Sequence, residues 1–501
     1  MTLPVHTNLG GMIAFRADDH PWLIEVDPAG AERRFSYGDL RRQAAAVANG
    51  LRQRGVPRGA RVGLLGQNRA EYLLTYFGIM QAGMCPVPIG VKLAGETMRH
   101  IVRDADVQWV FADTEWHGRL EDRVAMLPLD DVAAWQAFGV AGATVIEDCA
   151  PSEPATILYT SGSTGVPKGV PLTHGGYIWT LQQVAVNGGQ FMHDQAAHVL
   201  AAAPLSHMNA LFLAKTVTAY GATLVLLTRF DAAAYLHAAS RHRCQIVTAV
   251  PTMLALCVRQ EAVWRTLDLS CVVNVAMGSA PVTDALYHQV AAMFPSAVVQ
   301  NSWGTTETGP AVFGPHPAGL PRPRLALGVP LPAVEVKLVG GNSDADGELW
   351  VRNGAILPGY LNRPEDSAKR LVDGWYRTGD VMRRDADGFY YFVGRADDMF
   401  VCGGENLYPG EIEKLLETHP AVAQAAVIPI DDDIKGQIPV AFVVLRPGTS
   451  LTTEALKAYA LAQGPVYAHP RFVRFVDALP LSAANKVDKA LLRSWVADLR
   501  R

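Results

Sequence analysis

The sequence predicts an α/β fold that continues into a small antiparallel β unit and ends in a compact α+β tail. From about Arg34 to Val250, helical and strand patterns alternate, and this alternation favours parallel sheets covered by helices. After about residue 320, prolines interrupt helices and short stretches alternate polar with apolar residues, as half-exposed strands do. At 501 residues the chain is too long for one hydrophobic core, so we expect at least two domains.

The first helix is predicted from its start and stop signals. Ser36 and Asp39 form a capping-box pattern, with Asp in place of the usual Glu. Apolar residues then recur at helical spacing from Leu40 to Leu51, and Gly55 is a suitable stop.

Strands and helices then follow one another in the order that a parallel sheet needs. Residues 62–65 predict a buried strand, residues 72–80 have helical spacing, and residues 85–88 begin another strand. The same rhythm returns at two further apolar runs, residues 222–227 and 245–250.

The β unit and the tail have signals of their own. Antiparallel strands are predicted over residues 335–339, 348–352 and 389–393. A domain boundary is predicted at residues 394–398, and Pro409 suits the first turn of the helix that follows. The tail then continues with strands over residues 425–430 and 440–445 and a helix over residues 453–461.

Composition limits the class of protein. The formal net charge of -4 gives no global reason to bind nucleic acid or an acidic membrane. The six cysteines lack paired or metal-ligand spacing, which is typical of reduced thiols in the cytosol. The N-terminus lacks a signal-peptide pattern, and the apolar stretch 219–227 is too short to cross a bilayer. We therefore expect a cytoplasmic enzyme with no membrane span.

Residues 159–169, YTSGSTGVPKG, form the most informative motif. Glycines let the backbone approach a ligand, hydroxyls donate hydrogen bonds, and Lys168 supplies a mobile positive charge. Lys168 follows a proline and no Ser or Thr comes next, so this is not the Walker pattern. The ordered spacing favours a loop that wraps phosphate oxygens over an ordinary flexible surface loop.

A second motif, residues 301–309 (NSWGTTETG), follows the apolar run 297–299. It should lie at the carboxyl end of a strand, where open α/β sheets bind ligands. Trp303 offers a flat face for a purine, Thr306 a hydroxyl near phosphate, and Glu307 a hard oxygen ligand for Mg²⁺.

Three further stretches carry candidate residues. Residues 373–380, DGWYRTGD, place Asp380 at the end of a glycine turn, where its carboxylate suits ribose hydroxyls. The double glycine Gly403 and Gly404 precedes the first tail helix, and Lys486 stands late in the chain. Alone, each of these stretches would be an ordinary turn or a solvated lysine.

Together and in this order, the motifs resemble those of the adenylate-forming, AMP-binding enzymes, which include acyl- and aryl-CoA synthetases, adenylation domains and luciferases. The resemblance spans nearly the whole chain and is of the acyl- and aryl-CoA synthetase type, similar to 4-chlorobenzoate-CoA, 4-coumarate-CoA and feruloyl-CoA ligases. It implies a large N-terminal domain of two α/β subdomains plus a β unit, residues 1–395. It also implies a small mobile C-terminal α+β domain, residues 396–501, that carries the catalytic lysine.

The resemblance implies ATP, Mg²⁺ and CoA as the cofactor and co-substrates, with a small carboxylic acid as the partner that is activated. Residues implied to bind ATP or AMP are Thr160, Ser161, Gly162, Ser163, Thr164, Gly165, Lys168, Trp303, Gly304, Thr305, Thr306, Asp380 and Arg395. Those implied to be catalytic are Lys486, His207, Thr306 and Glu307, with Glu307 as the metal ligand. Those implied to line the acyl pocket are His207, Met208, Ala276, Met277, Gly278, Ser279, Ala280 and Trp303. Those implied to form the CoA tunnel and the hinge are Asp397, Gly403 and Gly404.

The sequence departs from the family pattern at two of these positions. Trp303 stands where the family usually has tyrosine, which keeps a stacking surface but removes the phenol hydroxyl. Asn485 precedes Lys486 where family members usually have glycine.

The acid is less constrained than the reaction. Amino-acid-activating relatives place an aspartate just after the motif that contains His207, whereas this chain has Met208 and Asn209, so an α-amino acid is disfavoured. A benzoate- or cinnamate-like acid is the leading expectation, with a medium-chain fatty acid as an alternative. A carrier protein could replace CoA as the thiol acceptor, a binding protein without turnover is a further alternative, and a homodimer is possible.

Overall fold

The computed structural model describes residues 3–120, 124–143, 145–160, 166–187, 197–341, 343–402, 405–464, 468–482 and 486–498. Parallel sheets and helices occupy the first three hundred or so residues, an antiparallel β unit follows, and an α+β unit ends the chain. This order agrees with the α/β architecture predicted from the sequence.

The central sheet has seven strands, of which six are parallel and the edge strand Glu32–Ser36 is antiparallel to its neighbour. In spatial order the strands are Val298–Ser302, Asn274–Gly278, Ile246–Ala249, His198–Ala201, Thr223–Leu227, Pro21–Val26 and Glu32–Ser36. The carboxyl ends of the parallel strands share one edge, and the segments that follow them reach the cavity described below.

A second sheet has four parallel strands, in the order Cys85–Pro88, Arg61–Leu65, Trp109–Ala112 and Ala125–Pro128. An antiparallel pair, Pro154–Thr160 and Lys168–Thr173, lies beside it. The Thr156 hydroxyl joins the two, because it donates a hydrogen bond of 3.0 Å to the carbonyl of Pro86.

Helices cover both parallel sheets and pack in the tail. Their bounds are Tyr37–Gln53, Ala70–Gln81, Gly95–Asp104, Val132–Phe138, His174–Asn187, Met208–Tyr220, Ala232–Arg241, Pro251–Val258, Glu261–Trp264, Asp284–Met293, Pro364–Arg370, Pro409–Glu417, Thr453–Gln463 and Lys489–Ser494. The capping box of Ser36 and Asp39 is formed in both directions, as predicted. Pro409 occupies the first turn of its helix, also as predicted.

The β unit is an antiparallel sheet of Glu335–Gly340, Asp346–Arg352, Trp375–Arg384, Leu371–Val372 and Tyr390–Arg395. A bulge interrupts the Trp375–Arg384 strand, since Glu348 pairs with Val381 whereas Trp350 pairs with Arg377. Asp380 therefore lies inside a strand, at a bulge, and not at the end of a turn as the sequence indicated. Gly379, with a φ of 72°, provides the left-handed backbone that this bulge needs.

The tail has its own sheet and core. After the short helix Ala396–Asp398, the strands Phe400–Cys402, Glu405–Leu407, Val422–Asp432, Gly436–Leu445 and Phe472–Phe475 form one sheet. Its apolar side packs on two helices through buried residues such as Ile412, Leu416, Phe442 and Leu456. The chain thus changes from one sheet to another directly after Arg395.

Three large clusters of buried apolar residues hold the described residues together: two in the N-terminal part and one in the tail. In the part of the chain that the structure describes, no helix combines the length and the apolarity that a membrane span requires.

Candidate active site

A cavity of about 1430 Å³ lies where the central sheet, the β unit and the tail meet. The segments after three parallel strands line it, through Val250, Ser279 and Trp303. The β unit contributes Asp380 and the tail contributes Lys486. Its volume exceeds that of a site for one drug-sized ligand, so it has room for a nucleotide and a second substrate together.

Most of the described residues that the sequence predicted for the site line this one cavity. They are Thr160, Lys168, His207, Met208, Ala276, Gly278, Ser279, Ala280, Trp303, Gly304, Thr305, Thr306, Glu307, Asp380, Arg395, Asp397 and Lys486. The predicted residues Ser161, Gly162, Ser163, Thr164, Gly165, Gly403 and Gly404 lie outside the residues that the structure describes.

Met277 is a correction to the predicted acyl pocket. Its side chain is fully buried in the apolar core behind the central sheet, with Val247 and Val275 in the same cluster. Successive side chains of a strand point to opposite faces. Ala276 and Gly278 line the cavity, so Met277 between them faces the core.

Asp380 forms the most tightly bonded cluster of the site. Its side chain is 4% exposed; Trp303 Nε1 donates to Asp380 Oδ2 at 2.7 Å and Arg395 Nη1 donates to Oδ1 at 2.5 Å. Burial raises the pKa of Asp380, whereas the Arg395 guanidinium and the Trp303 N–H act in the opposite direction. The hydroxyl of Thr378 accepts from the Asp380 backbone N–H at 3.0 Å and fixes the bulge.

Glu307 is the candidate Mg²⁺ ligand of the site. It is 9% exposed, and its Oε1 accepts a hydrogen bond of 3.0 Å from the Tyr360 hydroxyl, which also bonds Tyr376. The described residues contain no group of three or more side chains able to hold a metal ion alone. Mg²⁺ is commonly held by one or two carboxylates and substrate phosphates, so Glu307 fits an ion that arrives with a nucleotide.

Lys168 is anchored at the edge of the cavity. Its ammonium lies 3.0 Å from Asp366 Oδ2 and 5.6 Å from the centre of the Tyr360 ring. The ion pair keeps the lysine near the predicted phosphate loop, and a phosphate that bound there would compete with Asp366 for it.

Lys486 brings a second lysine into the site from the tail. Lack of water around its ammonium lowers the pKa of Lys486 below the ordinary value, although the residue as a whole is exposed, and the ammonium interacts electrostatically with Asp380, Arg395 and Glu307. Burial, together with the positive charge of Lys486, lowers the pKa of His207 to about 4. The imidazole is therefore neutral at physiological pH. It can line a pocket for a carboxylate without adding a positive charge that competes with Lys486 for that carboxylate.

The proposed acyl pocket has small side chains on one wall. Ala276, Gly278 and Ala280 line the cavity, as do the apolar side chains of Met208 and Phe212. Polar contact is limited in this wall. Asn209 Nδ2 donates a weak hydrogen bond of 3.4 Å to the Ser279 hydroxyl, and Ser279 has a strained φ of 69°.

Asp397 lies in the short helix between the β unit and the tail. Arg370 Nη2 donates to its Oδ2 at 3.0 Å, and Arg395 Nη2 lies 3.6 Å from the same oxygen. The predicted hinge residue is therefore tied to the β unit by two arginines that also line the cavity.

Sequence reasoning missed Tyr360, Tyr376, Asp366 and Arg370. Tyr376 lies in the motif 373–380 but was given no role there, and the other three lie in segments with no glycine-rich or hydroxyl-rich pattern. Each contributes through a contact with a residue distant in the chain. No local signal in the sequence identifies such partners.

Comparison with known proteins gives two family matches. Residues 14–361 match the model of AMP-binding enzymes, and residues 411–486 match the model of the AMP-binding enzyme C-terminal domain. The two matches cover the cavity walls up to Tyr360 and the tail up to Lys486, while Asp380 and Arg395 lie between the two matched ranges.

The chain is 34% identical to a feruloyl-CoA synthase from Amycolatopsis sp., over 97% of this chain and 98% of that protein. It is 30% identical to a fatty acid–[acyl-carrier-protein] ligase from Streptomyces coeruleorubidus, over 94% of this chain and 93% of that protein. Among solved structures, an anthranilate CoA ligase in complex with anthranoyl-AMP superposes with a TM-score of 0.85. It has 25% identity and covers 98% of each chain.

Proposed function

The chain belongs to the AMP-binding enzyme family, and we propose that it is an ATP-dependent CoA ligase for an aromatic carboxylic acid. It is an AMP-forming acid–thiol ligase, so the reaction class predicted from its motifs is confirmed. One observation carries the residue-level proposal. Lys486 comes from the tail and faces Asp380 and Glu307 across the cavity that holds the nucleotide motifs.

In the first half-reaction, a carboxylate oxygen of the acid attacks the α-phosphorus of ATP. The bond from that phosphorus to the bridging oxygen breaks, and the products are an acyl-adenylate and pyrophosphate. No protein nucleophile is needed, so the residues act by positioning the two substrates and by neutralising charge. Lys486 would stabilise the charge that develops between the substrate carboxylate and the α-phosphate.

The nucleotide roles follow the same geometry. Asp380 and Arg395 would hold the ribose, and Trp303 would hold the adenine. Lys168 and the motif that contains Thr160 would hold the terminal phosphates. Glu307 would hold Mg²⁺, which when bound neutralises phosphate charge. The pairing of Lys168 with Asp366 holds that lysine at the edge of the cavity until a phosphate takes the place of the Asp366 carboxylate.

In the second half-reaction, the CoA thiol attacks the acyl carbonyl and AMP leaves. We propose that the tail rotates about Asp397, withdraws Lys486 and presents Gly403 and Gly404 to the thiol arm. The contacts of Asp397 with Arg370 and Arg395 would then be remade at each turnover. The division into residues 1–395 and 396–501 stays a prediction, supported by the change of sheet after Arg395.

The aromatic acid is supported by the pocket walls and by two relatives. The cavity is lined by the small residues Ala276, Gly278 and Ala280 and by the apolar Met208 and Phe212, a set of side chains that suits a flat ring. The feruloyl-CoA synthase and the anthranilate CoA ligase are named for aromatic acids.

A second candidate is transfer of a fatty acid to a carrier protein. The fatty acid–[acyl-carrier-protein] ligase at 30% identity favours it, and the apolar pocket wall would accept an alkyl chain. The predicted homodimer and cytoplasmic location stay predictions.

The test supplies Mg·ATP and CoA with a panel of benzoates, cinnamates and fatty acids, and measures pyrophosphate and thioester together. We expect both products with at least one aromatic acid and a smaller kcat/KM with fatty acids. A preference for fatty acids, or pyrophosphate without CoA thioester that changes to acyl transfer when a carrier protein is added, would contradict the proposal.

A further inference from the structure

Trp303 is one of the two site residues that depart from the family pattern, and its uncharged N–H donates a hydrogen bond to the carboxylate of Asp380. Trp303 Nε1 lies 2.7 Å from Asp380 Oδ2, although 77 positions separate the two residues. One edge of the indole packs against Phe313 at 5.7 Å between ring centres, and the ring lines the cavity. Its N–H is therefore directed at Asp380 while the ring stays available to a base.

Asp380 is bonded by protein on both oxygens. Arg395 occupies Oδ1 and Trp303 occupies Oδ2, so the carboxylate is fixed from two sides. An ionised carboxylate has about four acceptor positions. Each oxygen thus keeps a position free for one further donor, and two adjacent hydroxyls would use both.

The hydrogen bond to Asp380 depends on an indole side chain at position 303. Indole nitrogen lies on the side of the ring and only donates, whereas a tyrosine at 303 would carry its single hydroxyl at the far end of its ring. A phenol could not donate from the same point while its ring kept the position of the indole. Hydrogen bonds to charged groups are also stronger than neutral ones, so losing this N–H would free the carboxylate to rotate.

We propose that Trp303 is a positioning residue: its indole N–H sets the orientation in which Asp380 accepts the two ribose hydroxyls. The ring that stacks on the base and the carboxylate that binds the sugar are then joined by a hydrogen bond. This inference rests on the proposed nucleotide role of Asp380.

The test compares ATP with 2′,3′-dideoxy-ATP in wild type and in Trp303→Phe, by pyrophosphate release at saturating acid. We expect the variant to lose about 10- to 100-fold in kcat/KM for ATP, mostly through KM, as removal of a charge-assisted hydrogen bond does. With dideoxy-ATP, which lacks both hydroxyls, the same substitution should change kcat/KM less than about 3-fold.

Two further variants keep the test decisive. Replacing Trp303 with β-(3-benzothienyl)alanine puts sulfur in place of the N–H and preserves the ring shape, so it should reproduce the ATP-selective loss without a packing defect. Trp264→Phe is the control. It removes an indole N–H that donates to the Val258 carbonyl at 3.2 Å, away from the cavity lining, and should affect both nucleotides alike.

Equal losses on the two nucleotides, or no loss with the benzothienyl isostere, would overturn the inference and leave the proposed ligase intact. A wild-type enzyme that uses dideoxy-ATP as well as ATP would overturn the ribose role of Asp380 and this inference together. Failure of the proposed function would differ from both, because wild type would then form no acyl-adenylate with ATP.

Discussion

Lys215 is the residue whose environment is least favourable in the N-terminal core. Its side chain is 2% exposed, and among the described residues its ammonium has no hydrogen-bond partner. Its nearest groups are the ring faces of Tyr177 and Tyr76, with centres at 3.5 Å and 4.7 Å. Burial lowers its pKa well below the ordinary value, since two aromatic faces replace only part of the lost hydration.

Replacing Lys215 with methionine is expected to stabilise the protein. Methionine has a similar length and no charge to desolvate, so we expect Lys215→Met to raise the free energy of unfolding by about 1–3 kcal/mol at pH 7. The sign follows from linkage. The unfolded lysine stays protonated up to its ordinary pKa of 10.5, while the folded one loses its proton earlier, so wild type gains stability as pH rises. The advantage of the variant should therefore shrink towards pH 10.

Chemical denaturation of both proteins at pH 7 and pH 9.5 measures this difference. Lys337→Met is the control, because Lys337 also lies over two aromatic rings, Trp350 and Trp375, but on a half-buried face of the β unit. We expect it to change stability by less than about 0.5 kcal/mol, as surface substitutions do. A destabilised Lys215→Met protein would show that the amine makes a favourable interaction.

At the scale of elements, the Pro409–Glu417 helix presents its acidic side to the cavity between the two parts of the molecule. Glu417 Oε1 accepts the backbone N–H of Ala425 at 2.9 Å, and Thr283 of the N-terminal part donates to the same carboxyl group. Burial raises the pKa of Glu417 to about 7. The interface between the parts thus contains a carboxyl group that titrates near neutral pH.

The raised pKa of Glu417 predicts a pH dependence of stability. In the unfolded chain this carboxyl group ionises near its ordinary pKa of 4.5, and in the folded chain near 7. Unfolding therefore releases a proton between those values. Stability should fall as pH rises from about 4.5 to 7 and then level off. The total fall should be no more than about 3–4 kcal/mol, since one pKa unit corresponds to about 1.4 kcal/mol.

Thermal unfolding of wild type and Glu417→Gln between pH 5 and pH 8 measures this effect. The variant has no proton to lose, so its advantage over wild type should grow up to about pH 7 and stay constant above it. Glu454→Gln, at an exposed position in the tail, is the control and should shift stability equally at every pH. A constant offset for Glu417→Gln would mean that Glu417 has an ordinary pKa.

Elements were predictable where local signals decide them. The capping box at Ser36 begins a helix because it bonds backbone N–H groups of the first turn. Pro409 begins a helix because it lacks a backbone N–H group that would have no partner there. The bulge at Asp380 was not predictable, since it depends on how the strand pairs with Asp346–Arg352. Met277 was misplaced for a related reason: its direction depends on which strand residues face the cavity.

The site residues also divide into those that local sequence signals predict and those that only tertiary contacts reveal. Most of the described residues that the motifs predicted for the site do line the cavity. Those around Ser279 and Trp303 do so because each follows a parallel strand, and parallel strands end at one edge of the sheet. The bonds of Trp303 to Asp380 and of Lys168 to Asp366 join residues far apart in the chain. No spacing rule in the sequence connects such pairs, because only the tertiary fold brings them together.

At the scale of the whole molecule, the site is complete only when the tail lies over the cavity. The walls that carry Trp303, Glu307 and Asp380 belong to the N-terminal part, and Lys486 enters from the tail. In the proposed mechanism this orientation supplies the lysine for the first half-reaction. The proposed second half-reaction would use a different orientation, in which the tail withdraws Lys486 and presents the double glycine to the thiol.

The most direct measurement of the central claim follows the two half-reactions separately in Lys486→Ala. Formation of acyl-adenylate should fall about 10²- to 10³-fold, as it does when one buried charge-stabilising donor is removed, while thioester formation from supplied acyl-adenylate stays within about 3-fold of wild type. Lys457→Ala, in the Thr453–Gln463 helix and away from the cavity lining, is the control and should leave both rates unchanged. Equal losses in the two half-reactions would contradict the claim that Lys486 serves adenylation alone.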